Sequence, residues 1–172
     1  MENNTINTIH NLIDYQISKF LSTEVELKNT LPKWINEASS LQLKTVLQKY
    51  IGFINQHIKA IEDFITEEQI VMVPSSDPIM LAFINQTDEC LSYCKNAEIK
   101  DACLLASIQG INHYKISIYG TASSFADLLE LTKFAAILHE ADINEKHIDD
   151  RLTQLAKYEI NNKAKSPIAM PK

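Results

Sequence analysis

The chain has 172 residues, of which 45% are apolar and 22% charged, the composition of a single globular domain with a sizeable core. A formal charge of −6 argues against a nucleic-acid-binding surface, which needs clustered Lys and Arg. No apolar run reaches the length of a membrane span, and MENNTINTIH lacks the charged and apolar regions of a signal peptide, so no membrane contact is expected and the cytoplasm is the expected compartment.

Three glycines and five prolines in so long a chain favour long helices over many short strands. The first pattern runs from about Thr5 to Ala38, with Ile6, Ile13, Ile17, Phe20, Leu27, Leu31, Trp34 and Ala38 in steps of three and four. Pro32 is expected to kink it or mark its last turns. A second helix is predicted over Leu41 to Thr66. The loop VPSSDP follows, in which Asp77 and Pro78 read as the N-cap and first position of a shorter helix ending near Lys95. That helix is expected to carry Met80, Phe83, Thr87, Cys90 and Cys94 on one face. Three cysteines are an odd number with no zinc spacing to complete a site, so Cys90 and Cys94 read as small buried hydrophobes or interface residues rather than a redox pair.

The fourth helix, about Lys100 to Leu129, has two apolar sides, Leu105, Ile108 and Tyr119 on one and Leu104, Ile111, Ile118 and Phe125 on the other. Such a helix is either central or shared with a partner subunit. The fifth runs from about Thr132 to Asn162. Residues 1–163 are thus expected to form one helical domain, and 164–172 a disordered tail.

Polar residues interrupt these stripes. Glu24 falls on the buried face of the first helix, Glu145 on that of the fifth, Asn112 and Lys115 on successive core positions of the fourth, and His57 at or near the core face of the second. A buried carboxylate needs a cation, a proton or a hydrogen-bonding partner, and inward carboxylates and histidines on facing helices are how di-metal sites are built in bundles. Frayed periodicity, with the charged heads turned to solvent, is the other reading. His10, His139 and His147 read as surface or interface histidines.

The stretches DACLLASIQGINHYKISIYGT, EKHIDDRLTQLA and TEVELKNTLPKW resemble the YciE/YciF family of bacterial ferritin-like proteins across nearly the whole chain. The resemblance implies an all-α, ferritin-like four-helix bundle with one additional short helix, often dimeric and associated with stress responses. It also implies inward metal-holding carboxylates: Glu24, Glu145 and Asp149 match acidic positions, and His113 with Tyr114 matches a His-Tyr pair. Several positions depart from the family pattern. Tyr50-Ile51-Gly52-Phe53-Ile54 stands where the family has His-Leu-Glu-Glu-Thr, Asn112 and Lys115 replace the two glutamates around His-Tyr, and Asn144 replaces another acid.

The remnant metal set is therefore Glu24, His57, His113, Glu145 and Asp149, beside a polar layer of Asn112 and Lys115. No catalytic residue, nucleic acid or cofactor is expected, iron or manganese at a reduced mononuclear site being the alternative, and the expected partner is a second copy of the chain. Lys115 is expected either to replace the metal between Glu24 and Glu145, with Asn112 or His57 completing the hydrogen bonds, or to reach outward while the glutamates bond to tyrosines or water.

Overall fold

The computed structural model describes residues 6–70 and 75–165. Helix α1 covers Ile9–Glu37, α2 Leu41–Glu67, α3 Pro78–Tyr93, α4 Ala97–Leu128 and α5 Thr132–Leu155; a π turn, Ala156–Ile160, and a last helical turn, α6, Asn161–Ala164, complete the chain order. Helix α1 starts later than its apolar pattern because Thr8 caps it, its hydroxyl accepting from the Asn11 N–H, and leaves Ile6 outside and exposed. Pro32 lies in the last turns of α1. Asp77 caps α3 with Pro78 at its first position, as the sequence reads; Val73 and Pro74 of that loop lie outside the described residues, as does the expected tail from residue 166 on.

Helices α2 and α4 end in the same way. Gln69 and Glu130 take left-handed φ values of 54° and 59°, and the next residues close the turn, Ile70 N–H on Ile65 O at 3.0 Å and Leu131 N–H on Ala126 O at 2.9 Å. Glycine ordinarily fills that position, yet both helices end within one residue of where the apolar pattern stops, at Glu67 and Leu128.

α1, α2, α4 and α5 form the bundle, and α3 lies against α1 and α4. Trp34 Nε1 donates to Asp88 at 2.8 Å, which ties α1 to α3, while Asp101 of α4 accepts the N–H groups of Ser39 and Ser40 at 2.7 and 2.8 Å and so fixes the start of α2. Both apolar sides of α4 are used inside the chain: Leu104, Leu105, Ile108, Ile111 and Tyr119 are buried and Ile118 and Phe125 half-buried. Helix α4 is thus central to the bundle, with Ile118 and Phe125 keeping part of their surface open.

The core is cut in two. Leu27, Tyr50, Ile54, Ile111 and Ile148 belong to one apolar cluster, and Phe20, Ile61, Tyr119 and Ala141 to the other. Each full burial of a large apolar side chain contributes about 1.5–3 kcal/mol, which is what holds the two halves together around a polar centre. Between them, on four helices, sit Thr23 and Glu24, His57, Asn112 and Lys115, and Asp142 and Glu145, all buried.

Candidate functional site

Glu24, Lys115 and Glu145 are fully buried and His57 nearly so. Stripe position puts them there, since each stands where its helix passes from one apolar cluster to the other. Lys115 Nζ is 2.8 Å from Glu24 Oε2 and 2.6 Å from Glu145 Oε1. It also lies 4.7 Å from the centre of the Tyr50 ring, which favours a cation over its face. The outward-reaching alternative for Lys115 is excluded by its burial.

The remaining carboxylate oxygens are taken by other donors. Glu24 Oε1 accepts from Tyr119 OH at 2.5 Å and from His57 Nδ1 at 2.8 Å. Glu145 Oε2 accepts from Tyr50 OH at 2.5 Å and Asn112 Nδ2 at 2.7 Å, and the same amide reaches the Glu145 carbonyl at 3.0 Å. The contact from Lys115 to Glu145 Oε1 is one of charge rather than of an aligned hydrogen bond. His57 Nε2 faces Asn144 Nδ2 at 3.3 Å.

The two carboxyl groups are driven apart. Burial alone raises Glu24, but Lys115 and then His57 pull it down from 4.5 to about 2. Glu145 is raised: burial outweighs the pull of Lys115, and the Glu24 charge adds to it. Burial disfavours the Lys115 ammonium, yet Glu145 and Glu24 together hold it above its ordinary value. Tyr50 and Tyr119 rise well above theirs through burial and the adjacent carboxylates, so both stay neutral donors.

Of the residues singled out from the sequence, Glu24, His57, Glu145, Asn112 and Lys115 meet in one centre. His113 and Asp149 do not join it: His113 is exposed, and its Nε2 pairs with Asp149 Oδ1 at 2.8 Å on the outside of α4 and α5. Position 113 follows a buried residue on α4 and is rotated away from the bundle axis. His10, His139 and His147 are exposed. Tyr50 and Tyr119 hold the centre as firmly as the charged residues, although the sequence shows them only as members of apolar stripes.

The cysteines differ from expectation. The buried positions of α3 are Met80, Thr87 and Leu91, so Cys90 falls one step off the stripe and is exposed. It is joined to Cys103 of α4 by a disulfide, and Cys94 is half-buried.

A family model described as Domain of unknown function (DUF892) matches residues 8–165. The chain belongs to this family. Protein YciF of Escherichia coli (strain K12) is 28% identical to this DUF892 chain over 160 residues, 92% of the chain and 96% of that protein. The crystal structure of the E. coli stress protein YciF matches with a TM-score of 0.83 over 94% of the chain and 100% of its own. YcfI of Rhodopseudomonas palustris, named as a candidate structural protein, matches at 0.84 with 21% identity, over 89% of the chain and 98% of its own. A two-domain protein of Anabaena variabilis with DJ-1/ThiJ/PfpI-like and ferritin-like domains matches at 0.62 with 18% identity, over 96% of the chain and 40% of its own. The family resemblance and the ferritin-like bundle read from the sequence both hold. No helix among the described residues is long and apolar enough to cross a membrane.

The ligand atoms of Glu24, His57 and Glu145 lie within 4.8 Å of one another, close enough to ligate one ion. The centre nevertheless does not fit a divalent cation. Both oxygens of both carboxylates already face protein donors or the ammonium, and Lys115 has donors but no lone pair to offer. An ion at about 4 Å from the ammonium meets roughly 8 kcal/mol of repulsion at an effective dielectric of 20.

Proposed function

We propose that this chain is a non-catalytic structural or binding protein of the stress-associated YciF type, working in the cytoplasm as a homodimer, with Lys115 closing the centre that metal closes in other ferritin-like bundles. The observation that carries the reading is the Lys115 ammonium at 2.8 and 2.6 Å from the two buried carboxylates. The names of YciF, a stress protein, and of YcfI support the physiological side. In this reading the centre's task is to fix the packing and register of α1, α2, α4 and α5. Glu24, His57, Asn112, Lys115, Glu145, Tyr50 and Tyr119 each pair with a residue on another helix, and a mispaired bundle leaves charges buried alone.

The second reading, a mononuclear iron or manganese site on Glu24, His57 and Glu145, rests on the closeness of those three ligands. Elemental analysis separates the two. The purified chain is incubated anaerobically with Mn(II), an oxygen-preferring ion, or with Fe(II), and then desalted, with Glu24→Ala and Glu145→Ala reporting whether retained metal sits at this centre rather than on the cysteines. Metal far below one ion per chain, with thermal stability unchanged by a chelator, is expected. About one ion per chain, lost in both Glu24→Ala and Glu145→Ala, overturns the proposal and establishes the second reading.

A further inference from the structure

The three cysteines converge at the corner between α3 and α4. Cys90 lies in the last turn of α3, Cys94 is its C-cap, and Cys103 follows in the second turn of α4. Their Sγ atoms all lie within 4.8 Å of one another. The corner is anchored from below by the buried Leu91 and Leu104 and at its turn by Asn96, whose side chain accepts the Ile99 N–H at 2.9 Å. The sulfur cluster is therefore built on two helix ends of fixed position, with Cys90 open to solvent and Cys94 and Cys103 half-buried.

We propose that the reduced chain binds one soft metal ion, monovalent copper, at a three-sulfur site formed by Cys90, Cys94 and Cys103. A dithiol opens the site: the Cys90–Cys103 bond breaks, two electrons and two protons pass to the cysteines, and the dithiol leaves as its own disulfide. The ion then displaces the thiol protons as it binds. Thiolates select soft ions, and a metal–sulfur distance of about 2.3 Å sets the sulfurs of a planar three-coordinate site about 4 Å apart. That spacing lies inside the 4.8 Å the Sγ atoms already span. Zinc takes four ligands, and no His, Asp or Glu joins the cluster among the described residues. Three sulfurs complete the shell of monovalent copper.

The test uses the full chain, reduced with dithiothreitol, desalted anaerobically and titrated with Cu(I) buffered by bicinchoninate. About one copper per chain should leave the chelator, with a thiolate-to-copper charge-transfer band in the near ultraviolet. Cys94→Ser and Cys103→Ser should each weaken retention about tenfold or more, and Cys94→Ala serves as a second variant, with helical circular dichroism verifying the fold. His139→Ala, at an exposed position of α5, should leave the titration unchanged. The proposal falls if the reduced chain takes no copper from the chelator. It falls equally if the oxidised chain or the Cys94→Ser and Cys103→Ser variants bind as much as the reduced wild type, or if one copper bridges two chains.

Discussion

Replacing Lys115 by Met keeps an unbranched side chain, one atom shorter, and removes its charge. Glu24 and Glu145 then face each other without the ammonium that now lies 2.8 and 2.6 Å from them. Removing one partner from a buried ion pair costs about 3–5 kcal/mol, most of it from the charge left behind. Glu145, already raised, relieves part of that by taking up a proton, at about 1.4 kcal/mol per unit between its new value and the solution pH. The net loss at pH 7 should be about 3 kcal/mol, a large share of the 5–15 kcal/mol that holds a domain together. Urea unfolding followed by helical circular dichroism should show the midpoint fall by roughly 1–2 M. The penalty relative to wild type should shrink between pH 7 and pH 5, because the proton becomes easier to supply. Lys115→Met combined with Glu24→Gln should recover about 2 kcal/mol of the loss, a coupling that two independent sites would not show. A midpoint shift below roughly 0.3 M, or a penalty of equal size at pH 7 and pH 5, would refute the reasoning.

Glu24, held at about 2 in the folded chain against 4.5, contributes about 3 kcal/mol that is present above pH 4.5 and lost as the pH falls toward 2. Urea titrations at pH 5.5 and pH 3 should therefore show wild type losing more stability over that interval than Glu24→Gln; equal losses would place the acid sensitivity elsewhere. Glu130 holds a left-handed φ of 59° that a side chain resists, so Glu130→Gly should stabilise the chain by about 0.5–1 kcal/mol, read as a rise in thermal midpoint.

The helices were legible because burial repeats along a chain. Ile13, Ile17, Phe20, Leu27, Leu31 and Trp34 mark α1 by spacing alone, and the same spacing exposes Glu24 as an intruder. Lys115 and Asn112 stood out for the same reason. What periodicity cannot carry is partnership between helices. The meeting of Glu24 with Lys115, 91 residues away, could be posed only as one of two alternatives, and that with Tyr119, 95 residues away, has no local record in the sequence. Tyr50 and Tyr119 were hidden because a tyrosine satisfies an apolar stripe with its ring while its hydroxyl does polar work. Asn144 was read as a lost acid, whereas its amide faces His57. Cys90 and Cys103 belong to different helices, so their bond was equally invisible. His113 failed differently: resemblance preserved its identity, but its position on α4 points outward.

The placement of Lys115 has a genetic side. Lysine and glutamate codons differ only in their first base, so Lys115→Glu is a single-step mutation. That one step would turn an ammonium flanked by two carboxylates into a third carboxylate beside His57. Tyr50, Tyr119 and the apolar clusters on either side of the centre would stay as they are. Bundles closed by an ammonium and bundles that need a cation are thus adjacent in mutational space, and a lineage can cross between them without redesigning its scaffold.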